Sequence, residues 1–416
     1  MTAIELQGKA AKAAGRRLAT ATEEEKNRAL TEIAGLLVQR QDEVLAANAA
    51  DVAAGREMGL SEALLDRLAL TSQRMAGIVE GVRQVAALPD PIGEETRRST
   101  LANGLVVTRR RVPLGVIGII YEARPNVTVD AAVLCLKAGN AVILRGGKEA
   151  YRSNAALMSI MRDGVERAGL PRDCVALVED TSRESAAELM NLTEYLDVLI
   201  PRGGAGLIRS VTANARVPVI RTGEGVCHIY VDEEADFEMA ARILYNAKCS
   251  RPSVCNAAEC LLVHRAAAEA FLPMAKAALD AKRVELRGCP ETRAILGSCV
   301  VPAEESDWDS EYGDYILAVK VVSGVDEAMD FIAAHGTQHS EAIVTENGET
   351  AAKFLTGVDA AAVYHNSSTR FTDGFEFGLG AEIGISTQKL HARGPMGLEE
   401  LTSYKYVVLG NGQTRG

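Results

Sequence analysis

Between residues 116 and 213 the chain repeats one pattern, a short β-branched run followed by a stretch whose apolar positions recur three and four apart. Residues 116–120, 141–144, 175–178 and 197–200 read as strands. Residues 127–137, 153–168, 186–192 and 205–213 read as the helices between and after them. Continuously apolar strands separated by helices predict a parallel, doubly wound sheet covered on both faces, with ligands beyond the strands' carboxyl ends. The alternation restarts at 229–231 and continues through 261–264, 316–322, 342–345 and 361–364, with a helix predicted over 237–248. This is a second α/β domain.

The residues before Pro89 are rich in Ala, Leu, Glu, Arg and Gln at helical spacing, so several helices fill that stretch. Thr22 followed by Glu25 has the form of a reciprocal cap at a helix start, with Ile33, Leu36, Leu37 and Val44 facing inward. Asn103-Gly104 between strand-like runs predicts a type I′ hairpin. A two-stranded ribbon is marginal alone and wants a partner sheet, from another subunit or from another part of the chain, where residues 402–409 read as a closing strand that could pair with it. We read this ribbon as an oligomerisation arm.

Composition narrows the classes. The 416 residues carry 45 Lys plus Arg against 56 Asp plus Glu, a net charge of −11 that disfavours a nucleic-acid partner. Apolar runs are too short and too interrupted by Gly and Pro for a membrane span, and the N-terminal residues lack the apolar core of a secretory signal. The eight cysteines form no CxxC pair and read as reduced thiols of a cytoplasmic protein.

Neither GxGxxG nor GxxxxGK[ST] occurs, so a nucleotide must be held another way. Two strand ends offer glycine turns with cations: Arg145-Gly146-Gly147-Lys148, and Arg202-Gly203-Gly204 continuing to Gly206. Glycines admit close backbone approach and a following helix N-terminus favours an anion. Arg145 and Lys148 would suit the 2′-phosphate of NADP. Cys255 has cationic and polar company in Lys248 and Arg251, but Cys249 and Cys260 are similarly placed, and the local sequence leaves a buried structural role open for all three. His335 and His339 are four apart, yet Gly336 between them weakens a helix and no third ligand is in register, so no metal is expected. Residues 366–380, with Ser368 and Arg370, read equally well as a carboxylate or phosphate cradle and as a surface loop.

The stretch from Val112 to Val127, the Arg145-Gly-Gly-Lys-Glu-Ala turn, Pro-Ser-Val-Cys255-Asn256 and the residues from His339 to Val344 together resemble the γ-glutamyl phosphate reductases, also called glutamate-5-semialdehyde dehydrogenases. The resemblance runs over essentially the whole chain. It implies an aldehyde dehydrogenase-like α/β fold: two doubly wound α/β domains plus a β-ribbon oligomerisation arm. The segment Phe331 to His339 departs from the family's usual residues at two positions while keeping their spacing.

Carried over by residue, the resemblance makes Cys255 the nucleophile that displaces phosphate and holds a thioacyl intermediate, and Asn126 the side-chain donor of the oxyanion hole. Gly146, Gly147, Gly203, Gly204 and Glu311 would hold the cofactor together with Arg145 and Lys148. Arg202 or Arg221 would meet the leaving phosphate, and Ser368 and Arg370 the substrate. Glu224 falls one place out of register with the base that hydrolyses the thioester in aldehyde dehydrogenases, so it is not expected to deacylate. The implied reaction is NADPH-dependent reduction of L-glutamyl 5-phosphate to the 5-semialdehyde in proline biosynthesis, coupled functionally to glutamate 5-kinase, in a cytoplasmic homo-oligomer. An aldehyde dehydrogenase forming an acid or acyl-CoA, and a non-catalytic nucleotide-binding module, are the alternatives. The expected domains are 1–98 with 114–225 for NADP, 226–375 for the thiol, 99–113 with 389–416 for the arm, and 376–388 as a crossover.

Overall fold

The computed structural model describes residues 1–415. Its contacts divide the chain into two compact units. The first comprises Met1–Thr222, Gly378–Gly384 and the residues from Met396 onward; the second comprises Gly223–Phe377 and Ile385–Pro395.

The first unit opens with helices α1 (Ala3–Leu18), α2 (Glu23–Gln39), α3 (Gln41–Glu57), α4 (Glu62–Leu68) and α5 (Ser72–Ala87). Thr22 and Glu25 do cap α2 reciprocally, at 3.2 and 2.8 Å, and Ile33, Leu36, Leu37 and Val44 are all buried. Val44 lies on α3, one helix later. Strands β1 (Glu95–Thr100) and β2 (Val106–Pro113) follow. Then come β3 (Val116–Tyr121), α6 (Pro125–Lys137), β4 (Ala141–Arg145), α7 (Tyr151–Arg167), β5 (Val175–Leu177), α8 (Arg183–Met190), β6 (Val198–Arg202) and α9 (Ala205–Asn214). The sheet runs β5-β4-β3-β6, all parallel. Every residue of β3 is buried, as its unbroken Val-Ile-Gly-Ile-Ile-Tyr run requires. Strand order reverses between β3 and β6, which makes their carboxyl ends the natural ligand crevice of this sheet.

The second unit contains β7 (Cys227–Val231), α10 (Phe237–Cys249), β8 (Ala258–His264), α11 (Arg265–Asp280), β9 (Glu285–Gly288), α12 (Pro290–Leu296), β10 (Val301–Pro302), β11 (Ile316–Val322), α13 (Val325–His335), β12 (Ser340–Val344), α14 (Gly348–Gly357) and β13 (Ala362–His365). A short antiparallel pair, β14 (Ile385–Ser386) and β15 (Gly394–Pro395), completes it. The seven-stranded sheet is parallel throughout, in the order β10-β9-β11-β8-β7-β12-β13.

The last strand, β16 (Thr402–Leu409), returns to the first unit and pairs antiparallel with β2 from Thr402 opposite Pro113 to Leu409 opposite Val106. With β1 it forms a three-stranded sheet, β1-β2-β16. The hairpin expected at Asn103-Gly104 is present, but its turn is not type I′. Gly104 has φ +85°, whereas Asn103 is not among the residues with positive φ. The Gly104 N–H closes the turn on the Leu101 carbonyl at 2.9 Å, and Leu101 N–H bonds the Leu105 carbonyl at 2.8 Å. One extra loop residue shifts the left-handed requirement onto the glycine alone. Among the described residues no helix is long and apolar enough to cross a membrane.

Candidate active site

In the second unit the chemistry gathers at the amino ends of the central strands β7, β8 and β12. Cys255 lies in the connection from α10 to β8 and is half-buried, while Cys249 and Cys260 are buried. The exposed Cys299 belongs to the connection after α12.

Three backbone relationships fix the Cys255 segment. A Cβ added to Gly225 would lie 1.5 Å from the Cys255 carbonyl oxygen, so only glycine permits the chain entering β7 to pass there. The Cys227 thiol donates to that same carbonyl at 3.2 Å. Asn256 donates from Nδ2 to the Thr372 carbonyl at 2.9 Å, and its own carbonyl accepts from Thr369 Oγ1 at 2.7 Å. The segment following β13 is therefore laced directly to the residue after Cys255.

Arg370 stands in this lacing. Its guanidinium donates to Asn256 Oδ1 and, through Nε, to Ser250 Oγ at 3.1 Å. Burial and the neighbouring Arg251 push its pKa down, while Asp373, Cys255 and Glu376 oppose that shift. The Arg370 guanidinium thus contributes positive potential at the thiol. Ser368 is buried and its Oγ accepts from the Arg370 N–H at 3.3 Å, so it caps the turn that presents Arg370. Glu311 accepts from the Gly225 N–H, and desolvation by surrounding protein with the adjacent Glu224 raises its pKa.

Beneath this surface lies a relay whose members the sequence does not connect. Cys227 Sγ lies 3.7 Å from His339 Nδ1, which contacts Ser340 Oγ at 2.8 Å; the relay continues to Thr372 at 2.7 Å and Tyr364 at 2.6 Å. Burial lowers His339 to about 4 and raises Cys227 far above its ordinary value. Both are neutral near pH 7, a hydrogen-bonded floor rather than a thiolate–imidazolium pair. His335 ends α13 and contacts Asp309 at 2.8 Å, so the two histidines do not share a helix face. Nothing in the local sequence around Cys227 or His339 signals this meeting, because the strands that bring them together are more than a hundred residues apart.

In the first unit the sequence-derived residues collect at the carboxyl ends of β3, β4 and β6. Asn126 occupies the first turn of α6, which starts at Pro125. Its Nδ2 donates to Asp130 Oδ2 at 2.9 Å. Desolvation by the surrounding protein raises the partly buried Asp130 to about 6, while the Asn126 bond and the charge of Arg202 restrain it. Arg145 donates from Nη2 to the Thr181 and Ser182 carbonyls, at 2.6 and 2.7 Å, bracing the β5–α8 connection, whereas Lys148 is exposed. Gly146 packs against Asn154 and Tyr121, and Gly147 against Glu149. Gly203 packs against Glu122, which accepts from the Gly204 N–H at 3.1 Å. Gly204 caps α9 without any side-chain hydrogen bond, and a Cβ at Gly204 or Gly206 would meet nothing within 4 Å. The open glycine backbone at this helix start, beside the Gly204 N–H that Glu122 holds, suits a dinucleotide's phosphates. Arg202 packs beside Gly384, and Arg221 is exposed.

A parallel sheet with bare glycine turns, and a second unit presenting a half-buried cysteine, are what a family model describing the aldehyde dehydrogenase family matches over residues 2–295. The chain belongs to that family. A gamma-glutamyl phosphate reductase of Halothermothrix orenii is 58% identical over 412 residues, 99% of this chain and 98% of the relative. The crystal structure of the gamma-glutamyl phosphate reductase of Thermotoga maritima is 50% identical, covers 99% of both chains and superposes with a TM-score of 0.97. Within the wider family the chain therefore falls among the gamma-glutamyl phosphate reductases. A propionaldehyde dehydrogenase of Rhodopseudomonas palustris, 16% identical over 98% of this chain and 97% of its own, shares the fold at a TM-score of 0.70.

Proposed function

We propose that this protein reduces L-glutamyl 5-phosphate to L-glutamate 5-semialdehyde, releasing phosphate, with Cys255 as nucleophile. The observation that carries the reading is the half-exposed Cys255, held by Gly225 and Asn256 beside Arg251 and Arg370, in a chain 58% identical to named reductases. The Cys255 thiolate attacks the acyl carbon, the carbon–oxygen bond to phosphate breaks, and a thioester remains on sulfur. Asn126 and the Cys255 N–H donate to the oxyanion of the tetrahedral intermediate. Arg370 and Arg251 attract the doubly charged acyl phosphate and, with Arg202 or Arg221, receive the departing phosphate. Collapse of the reduced adduct returns the thiolate and frees the aldehyde.

The cofactor is a nicotinamide dinucleotide, and we assign the NADP form. The open α9 start at Gly204 would take its phosphates and the exposed Lys148 its 2′-phosphate, with Arg145 acting through the turn it braces; Glu311 would meet the ribose. When bound, the reduced nicotinamide supplies the hydride. The first unit serves the cofactor, the second the thiol, and the β1-β2-β16 sheet serves self-association in a cytoplasmic enzyme.

The test runs the reaction backward, following NADP reduction with glutamate 5-semialdehyde. Turnover that requires inorganic phosphate, and vanishes in Cys255→Ala, supports the reading. Turnover without phosphate, or only with coenzyme A, overturns it in favour of an acid- or acyl-CoA-forming dehydrogenase.

A further inference from the structure

Helix α6 is apolar almost throughout, and eleven of its thirteen residues are buried. The two that are not are Asn126 and Asp130, four apart and so on one face. Their side chains are joined by the 2.9 Å bond from Asn126 Nδ2 to Asp130 Oδ2. A carboxylate in an apolar helix costs stability; the charge of Arg202 offsets part of that cost, but attraction to a cation does not by itself call for the directed bond to Asn126. The pairing of this carboxylate with Asn126 is the feature that calls for an explanation beyond folding.

The chemistry of the pair supplies it. A side-chain amide has two nearly isosteric ends, and a carboxylate can only accept hydrogen bonds. Bonding to Asp130 therefore fixes the NH2 end of Asn126 toward the carboxylate, consumes one of its two N–H groups and leaves the second for another acceptor. A carbonyl or hydroxyl partner would enforce the same geometry more weakly, because the bond to a charged acceptor is the stronger one. Asn126 also lies in the first turn of α6, where the helix dipole favours negative charge.

We propose that Asp130 is a positioning residue that sets the amide orientation of Asn126, so that its free N–H is presented to the oxyanion formed on the substrate. The inference rests on the reading of Asn126 as an oxyanion donor. Asp130 does not touch the reacting atoms; its effect passes through Asn126. Loss of the carboxylate lets the amide turn its oxygen toward the developing negative charge, which weakens the transition state and leaves ground-state binding largely alone.

A double-mutant cycle on the full-length enzyme separates the two readings. Asn126→Ala, Asp130→Asn, Asp130→Glu and the double variant Asn126→Ala/Asp130→Asn are compared for kcat and KM, with thermal melting as the check on folding. We expect Asn126→Ala to lower kcat by about 100-fold or more. Asp130→Asn should lower kcat by about tenfold with KM within twofold, Asp130→Glu should recover part of that loss, and Asp130→Asn should add less than twofold once Asn126 is alanine. A loss below threefold in Asn126→Ala would remove the oxyanion reading itself. A large Asn126→Ala effect with a silent Asp130→Asn, or with losses that simply multiply, would overturn the positioning role and leave the oxyanion reading standing. If Asp130→Asn does not fold, Asp130→Glu decides: a kcat loss that persists in the Asn126→Ala background counts against the proposal, and one that disappears there supports it.

Discussion

Lys248 Nζ meets Glu259 Oε2 at 2.6 Å, with both side chains almost wholly buried, and the two residues bracket the segment that carries Cys255. Glu259 Oε1 also accepts from the Gly313 N–H at 3.2 Å, and Lys248 lies 5.9 Å above the Tyr312 ring. Burial pushes Glu259 up and Lys248 down, each restrained by the other. The ends of α10 and β8 are thereby tied together beneath the nucleophile's loop.

Breaking that tie from one side should be costly. Lys248→Met leaves a buried carboxylate without its cation and is expected to destabilise by about 3–5 kcal/mol, with most of the loss recovered in Lys248→Met/Glu259→Leu. Denaturant unfolding of the three proteins measures both effects. Equal stability of parent and single variant would show that the pair contributes nothing.

Gly225→Ala forces the Cys255 carbonyl to move, because the added methyl would overlap it at 1.5 Å. A displacement of an ångström at a nucleophile costs on the order of 100-fold in rate, so kcat should fall at least tenfold. Steady-state kinetics beside a melting curve would distinguish this from unfolding; an unchanged kcat would mean that the Cys255 peptide tolerates the shift.

Glu224→Gln should keep reductive turnover within about threefold of the parent, since a thioester that must be reduced needs no base to hydrolyse it. Cys255→Ser, by contrast, should lose essentially all activity. A Glu224→Gln enzyme as inactive as Cys255→Ser would reassign Glu224 to the chemistry.

His228 and Glu341, neighbours on β7 and β12, form a wholly buried contact at 3.0 Å. Burial alone would lower His228, but the Glu341 carboxylate and Cys260 outweigh it and raise the imidazole to about 10; burial raises Glu341. Both shifts let the native state hold protons that the unfolded chain releases. Stability from His228 is therefore full below its ordinary 6.5 and lost as pH rises toward 10, and the raised Glu341 adds a loss of the same sign above about 4.5. Unfolding free energy should decline between pH 6.5 and 9.5 in the parent and more shallowly in Glu341→Gln. An identical slope would remove the pair as its source.

Much of the architecture was legible because buried parallel strands announce themselves: the Val-Ile-Gly-Ile-Ile run of β3 and the Ile316–Val322 run of β11 leave little room for another reading. The Thr22 and Glu25 cap is equally local. The turn at Asn103-Gly104 was legible as a hairpin but not in type, because loop length decides where positive φ falls. The site was harder. Arg145 looks like a phosphate ligand in sequence, and only the fold shows its guanidinium bonded to the carbonyls of Thr181 and Ser182. Lys248 and Glu259 flank Cys255 within a dozen residues, yet their pairing depends on a helix end and a strand start meeting underneath. Asp130 had a signal available: a lone acid one turn beyond Asn126 in an apolar helix.

The pairing of β16 with β2 joins residues about 300 positions apart, across the entire second unit. During synthesis that hydrogen-bonding rim of β2 stays bare until residues 402–409 have left the ribosome, so the nascent protein passes through a prolonged stage with an adhesive border. Truncation before Thr402 would make that transient exposure permanent.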